Sequence, residues 1–298
     1  MKKIFKYLAI ICVLLTGAII TTGSLTAQVF NHPRHELSVY AGSGLSTLQY
    51  DLSTGRHKNG FGGQFGAGYN CFFSPKWGLG TGVELAIYRA KANLDNFSDS
   101  YDVNNAVAAN NYTFTYAINK YEETQQAMYL NLPLMFHFQT GRQYKFYAKL
   151  GGKVAFPINT SAKAGKYELS TKGYFPQEGR TYDDLPQYGF GTFEYLKRKM
   201  NVENFKLHYI ASAEMGLKWK IRVKNSLYTG IFFDYGLNNI QTKNDKTFVM
   251  TMFSPQMQPT QDKPAMSPLI ESSYSNGHFT GEIVPLAVGL KLRFTFLQ

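Results

Sequence analysis

The segment Glu282–Phe296, read as EIVPLAVGLKLRFTF, constrains the fold more than any other stretch. Val284, Leu286, Val288, Leu290, Leu292, Phe294 and Phe296 share one parity; Ile283, Pro285, Ala287, Gly289, Lys291, Arg293 and Thr295 share the other. A β-strand sends alternate side chains to opposite faces, so one face here is continuously apolar and the other small or cationic. That is the pattern of a strand with hydrocarbon on one side and a polar interior on the other. The soluble alternative is an exported barrel of lipocalin type. It would bury the apolar parity inside and present its charges to water.

The same alternation recurs in seven earlier segments: Glu36–Leu48, Phe61–Phe73, a run from Trp77 to about Tyr88, Gln126–Gln139, Lys145–Pro157, Asn204–Ile221 and Leu227–Leu237. The links between the segments alternate in length. Residues 51–59, 91–123, 158–203 and 238–278 are the longer connections, and 74–76, 140–143 and 222–225 are short turns. Outer-membrane barrels pair short periplasmic turns with longer extracellular loops. The expectation is an all-β, eight-stranded antiparallel up-and-down transmembrane β-barrel with long extracellular loops. Pro133 lacks a ladder donor and predicts a bulge or kink. Trp77, Phe146, Trp219, Phe294 and Phe296 fall near the turn ends, where an interfacial aromatic girdle belongs.

Composition agrees with this reading. Aromatic residues make up 15% of the 298, charged residues only 17%, and glycine is frequent at 27. The one long apolar run is at the N-terminus. Lys2, Lys3 and Lys6 precede the apolar stretch Tyr7–Ile20 and the small residues up to Ala27. This predicts a secretory signal over residues 1–27, cleaved after Ala27, with the barrel domain over 28–298. The apolar core is shorter than the ~20 residues of a spanning helix. Removing three lysines and no acids takes the net charge from +11 to +8. It also leaves Cys71 as the only cysteine, so no internal disulfide is expected. A basic exported chain suits anionic lipid headgroups or acidic glycans. It has no Lys/Arg block of the kind that binds nucleic acid.

The TAQ end of the signal, YLNLPLMFHF (129–138), FYAKLGGKVAFP (146–157) and the terminal GLKLRFTF (289–296) resemble the eight-stranded OmpA/OmpX-type outer-membrane barrels, particularly those of Bacteroidota. The resemblance implies residence in the cell outer membrane and contact with its lipid, and the long loops point to a structural or surface-interaction role.

Chemistry-bearing residues collect on the inward parity. Glu36, Glu84, Glu214 and Asp234 face Lys149, Lys153, Lys206, Lys218, Lys291 and Arg293. The lumen of an eight-stranded barrel is just wide enough for side chains to fill it, so these charges are expected to pair as a structural plug. A narrow ion path is the sharper alternative. An outer-membrane hydrolase or acyltransferase is a third. Its best candidates are His208 with Ser212 and Glu214, and His278 with Ser275 and Thr280, but no spaced catalytic motif joins them. Asp183 and Asp184 read as a solvated pair, and no Cys/His set has zinc spacing. Neither cofactor nor metal is therefore expected. The two longest loops exceed ordinary connectors. Tyr167, Tyr174, Tyr182, Tyr188 and Tyr195 mark the first. Met250, Met252, Met257 and Met266, with four prolines, mark the second. These loops are the expected contact surfaces for a protein or glycan partner, with the oligomeric state open.

Overall fold

The computed structural model describes residues 34–104, 111–141, 144–203, 205–222, 225–242, 245–251 and 263–297. The expected signal (1–27), His32, Met252 and Met257 lie outside the described residues.

Eight long strands form the barrel: β1 (Arg34–Gln49), β2 (Phe61–Phe72), β3 (Trp77–Leu94), β4 (Tyr121–Thr140), β5 (Tyr144–Ala164), β6 (His208–Lys220), β7 (Ser226–Gly236) and β8 (Val284–Leu297). Each pairs antiparallel with its sequence neighbours. β1 pairs with β8 from Leu37–Leu297 to Gln49–Val284, which closes the ring. Among the described residues no helix is long and apolar enough to cross a membrane. The crossing is made by strands.

The face assignment follows the alternation. Leu290 is 69% exposed, Leu150 69% and Phe136 63%, whereas Lys149, Glu214 and Arg293 are buried. Outward apolar side chains on an isolated barrel are those that hydrocarbon covers in the bilayer. Trp77, Phe146, Trp219, Phe294 and Phe296 all lie outward near the short-turn end, and Trp77 packs on Phe138 with ring centroids 4.7 Å apart. Glycine makes room where large polar side chains cross the lumen. A Cβ on Gly230 would sit 2.4 Å from the Tyr147 hydroxyl.

Two expectations need correction. Pairing of Pro133 to β5 is unbroken, and the register shift in that ladder lies at Met128/Tyr129 instead. On the β3 side the ladder does skip, from Thr81–Leu134 to Glu84–Asn131, as a missing donor requires. Second, β3, β4 and β5 run well past their expected ends, into residues read as loop. The sequence left the order of the long links open, and their described parts are folded. Arg56–Asn59 adds to the outer end of β3, and Arg198–Asn201 to the outer end of β5. Above the barrel, Phe97–Val103, Tyr112–Asn119, Tyr167–Phe175 and Arg180–Tyr182 form an antiparallel sheet in that order, with Gly191–Tyr195 also paired to Tyr167–Phe175. We call this unit, with the folded parts of 238–278, the cap. Its strands alternate too: Tyr112, Phe114, Tyr116 and Ile118 are buried, while their neighbours face water.

Candidate functional site

The lumen, its mouth and the cap are the three places where side chains converge. In the lumen the inward parity of all eight strands meets, and the charges sort by height. Nearest the short turns, Glu36 of β1 pairs with the Lys218 ammonium of β6 and accepts the Tyr228 hydroxyl at 2.7 Å. In the middle, Glu214 accepts Arg293 at 2.9 Å, the Tyr147 hydroxyl at 3.0 Å and Lys291 at 3.4 Å. Higher still, Lys153 bridges Glu84 at 2.7 Å and Asp234 at 2.8 Å. Asn131 donates to Glu84 at 2.9 Å and Ser212 to Asp234 at 2.6 Å. The Gln64 amide, turned to donate to both carboxylates, accepts from Lys291 at 2.9 Å. Lys149 donates to Asn70 at 3.1 Å. Arg293 lies over the Tyr40 ring, 4.3 Å from its centroid. Buried charges are retained where pairs and hydrogen bonds replace water; the network does so for the carboxylates, Lys153, Lys218 and Lys291, whereas Lys149 has only the neutral Asn70 amide oxygen and Arg293 Nε has no hydrogen-bond partner among the described residues. The cavity left among these groups is about 20 Å³, room for about one water.

Nine of the ten expected lumen charges thus lie inside, and Lys206 does not. β6 begins at His208, and Lys206 is exposed before it. Its amide donates to the Ile240 carbonyl at 2.8 Å rather than to a barrel neighbour. Carrying the strand's parity back by two residues caused the error.

The proposed relay of His208, Ser212 and Glu214 is likewise not assembled. His208 packs edge-on against Tyr129 at 4.4 Å, Ser212 is engaged by Asp234, and Glu214 by Arg293. Ser275 is bonded to Asp99, and Gln241 donates to Thr280. Asp183 and Asp184 are exposed, and among the described residues no group of His, Cys, Asp or Glu could hold a metal ion.

The mouth was not anticipated. Leu269–Glu271 form a single 3-10 turn whose Leu269 and Ile270 are fully buried, in the same apolar cluster as Leu48, Tyr88 and Tyr129 of the upper barrel. The buried Glu123 holds it there. Its two oxygens accept the Leu269 amide at 3.0 and 3.2 Å, and it also accepts Tyr121 and Gln125 at 2.8 Å each. The signal was present: Tyr121, Glu123 and Gln125 continue the inward parity of Ala127 and Tyr129.

The cap is held by aromatic packing. Phe97 lies 5.1 Å from Phe279, and Phe279 lies 4.8 Å from Phe248. Tyr116 donates to Asp99 at 3.1 Å. Burial pushes the Tyr112 phenol up to about 12; burial and the Asp99 carboxylate raise Tyr116 as well. Of the loop tyrosines expected at the surface, Tyr167 is instead buried and stacked on Tyr195 at 4.7 Å. Met266 is buried too, whereas Tyr174 and Met250 are exposed. Beside the Tyr167–Tyr195 stack opens a groove of about 590 Å³, lined among others by Asn96, Asn119, Lys120, Lys166 and Leu196.

A closed ring of strands, greasy outside and ion-paired inside, defines a membrane-spanning β-barrel. The chain matches the family model described as outer membrane protein beta-barrel domain over residues 26–242, and it belongs to that family. It is located in the cell outer membrane. Solved structures similar to it include a major outer membrane protein from Thermus thermophilus. That match has 13% identity and a TM-score of 0.34, and covers 88% of this chain and 99% of that one. Another is Ail, the attachment invasion locus protein of Yersinia pestis, in complex with the heparin analogue sucrose octasulfate. Here identity is 12% and the TM-score 0.27, with 89% and 100% covered. No curated protein matches it.

Proposed function

We propose that this protein is a non-enzymatic surface-interaction protein, in which a plugged barrel anchors a folded cap that binds a glycan outside the cell. The observation that carries this reading is the groove of about 590 Å³ beside the Tyr167–Tyr195 stack. The stacked tyrosine pair lines the groove with apolar surface, the Asn96 and Asn119 amides suit hydroxyls, and Lys120 and Lys166 suit acidic substituents. Aromatic packing beneath supplies the rigidity that a contact surface on a loop otherwise lacks. Binding of the purified full-length protein to an array of neutral and acidic glycans tests it. Tyr195→Ala with Lys166→Ala is expected to abolish the strongest signal. Unchanged binding, or no glycan binding by the parent, overturns the reading.

Two observations favour a plug over an ion path: the small internal cavity, and the Leu269–Glu271 turn seated in the mouth. In planar bilayers the protein is expected to give no stable water-sized conductance. The uncoupled His208 and Ser212 favour a non-enzymatic role.

A further inference from the structure

We propose that one side of the barrel, just above the hydrocarbon, binds the phosphate groups of an outer-leaflet lipid. The site is a wall made by Arg56–Asn59, β3, β4, β5 and Arg198–Asn201. Register sets one row of side chains across it. Lys58 lies beside Lys91, Lys91 beside Thr124, Thr124 beside Lys163, and Lys163 beside Lys199. All four lysines are exposed on the outward face. Adjacent strands are ~4.8 Å apart, so the row spans roughly 20 Å.

Two residues nearer the membrane, Arg89, Gln126 and Ser161 form a second row, with Arg89 donating to Gln126 at 3.1 Å. Two residues nearer again, the outward positions are Ile87 and Met128, the top of the apolar belt. Cation rows therefore begin ~7 Å along the strand from lipid-facing side chains. Between them lies a groove of about 360 Å³ lined by Phe61, Arg89, Lys91, Gln126 and Lys163. Phe61 is 65% exposed, so an apolar surface adjoins the cations as an acyl chain adjoins a phosphate.

The charges are not there to hold the wall together. Like charges directly opposite on neighbouring strands destabilise a sheet, and Lys58 faces Lys91. Among the described residues the carboxylate ion-paired to this row is Glu122, 3.1 Å from Lys91, with both side chains about half exposed. Such a pair contributes little. The far side of the barrel differs: the outer ends of β6 and β7 present Tyr209 and Tyr235, followed by Leu237. The cations are thus one-sided, placed where a lipid phosphate sits, and long enough to reach it.

The full-length protein in detergent micelles is titrated with phosphorylated lipid A, with the same lipid stripped of phosphate, and with inorganic phosphate, and bound lipid is read by native mass spectrometry. The parent is expected to bind the phosphorylated lipid roughly tenfold or more tighter than the stripped lipid. The variant Lys58→Gln, Lys91→Gln, Lys163→Gln is expected to lose that preference. A control carrying Lys172→Gln and Arg180→Gln on the cap and Lys220→Gln at the short-turn end is expected to keep it. Heat-modifiable gel mobility confirms folding of each. If the triple variant does not fold, the single change Lys163→Glu in the same titration is expected to lower the preference severalfold. Equal binding of the two lipids by the parent overturns the proposal. So does a preference that survives in the variant, or full displacement of lipid by inorganic phosphate at matched phosphate concentration. The wall variants leave the cap groove intact and the glycan array reads the cap separately, so failure of this titration leaves the cap reading untouched.

Discussion

Barrel and cap are built from the same alternating strands, yet each is the other turned inside out. In the barrel the inward side chains include Glu84, Glu214, Lys153 and Arg293, and the outward ones are Leu290, Leu150 and Phe136. In the cap the inward side chains are Phe97, Phe114, Phe248 and Phe279, and charged residues such as Lys172 face out. The solvent decides. Hydrocarbon takes the apolar face of the barrel, which leaves the polar face to pack on itself; water takes the polar face of the cap. The changeover falls along single strands. β5 carries outward Leu150 and, further along the same strand, outward Lys163.

The largest expected effect is at Lys153. Lys153→Met leaves Glu84 and Asp234 facing each other in a dry lumen, a loss on the order of 3–5 kcal/mol, read as a lower urea midpoint for unfolding from lipid vesicles. An unchanged midpoint would mean that the barrel interior is wet, and the contrast with the cap would fall. Phe248→Ala should cost the cap about 3–5 kcal/mol. Faster amide exchange in Phe97–Val103 and Tyr112–Asn119 with unchanged exchange in β6–β8 is the expected result. Joint loss of both would show one cooperative unit rather than two. Leu290→Arg places a cation against lipid and should cost roughly 2–4 kcal/mol, measured as reduced insertion into vesicles. An arginine tolerated there would reverse the assignment of faces. The smallest effect is with pH. The folded cap holds the Tyr112 and Tyr116 protons more tightly than the unfolded chain, which releases them near pH 10. That stabilisation is complete below pH 10 and is lost as pH climbs toward and through the folded values. Cap amides should therefore exchange faster at about pH 11 than the intrinsic rate predicts. No excess over that rate would mean that these phenols are wet.

The barrel was legible because two solvents enforce period two along whole strands, as at Lys291 and Arg293 between Leu290, Leu292 and Phe294. Strand ends were less legible. Arg89 and Lys91 keep their parity but turn polar once the strand leaves the hydrocarbon, and Lys163 lies beyond the register shift at Met128/Tyr129, which reverses the parity set by Leu150, so Lys91 and Lys163 read as loop. Tyr112, Phe114 and Tyr116 alternate as cleanly as any barrel strand, but the run is only eight residues long, among Asn and Ala. The seat of Leu269 under Glu123 joins positions 146 apart in sequence, and no local pattern encodes such a contact. Lys206 failed for the opposite reason: parity persists on paper after the strand has stopped.

The partners of the lumen charges arrive late. Glu36 on the first strand is matched by Lys218, 182 residues downstream, and Glu214 is matched by Arg293 on the last strand. A chain arrested midway through assembly would therefore carry bare ions that a bilayer rejects. Pairing of these charges therefore needs the first and last strands together.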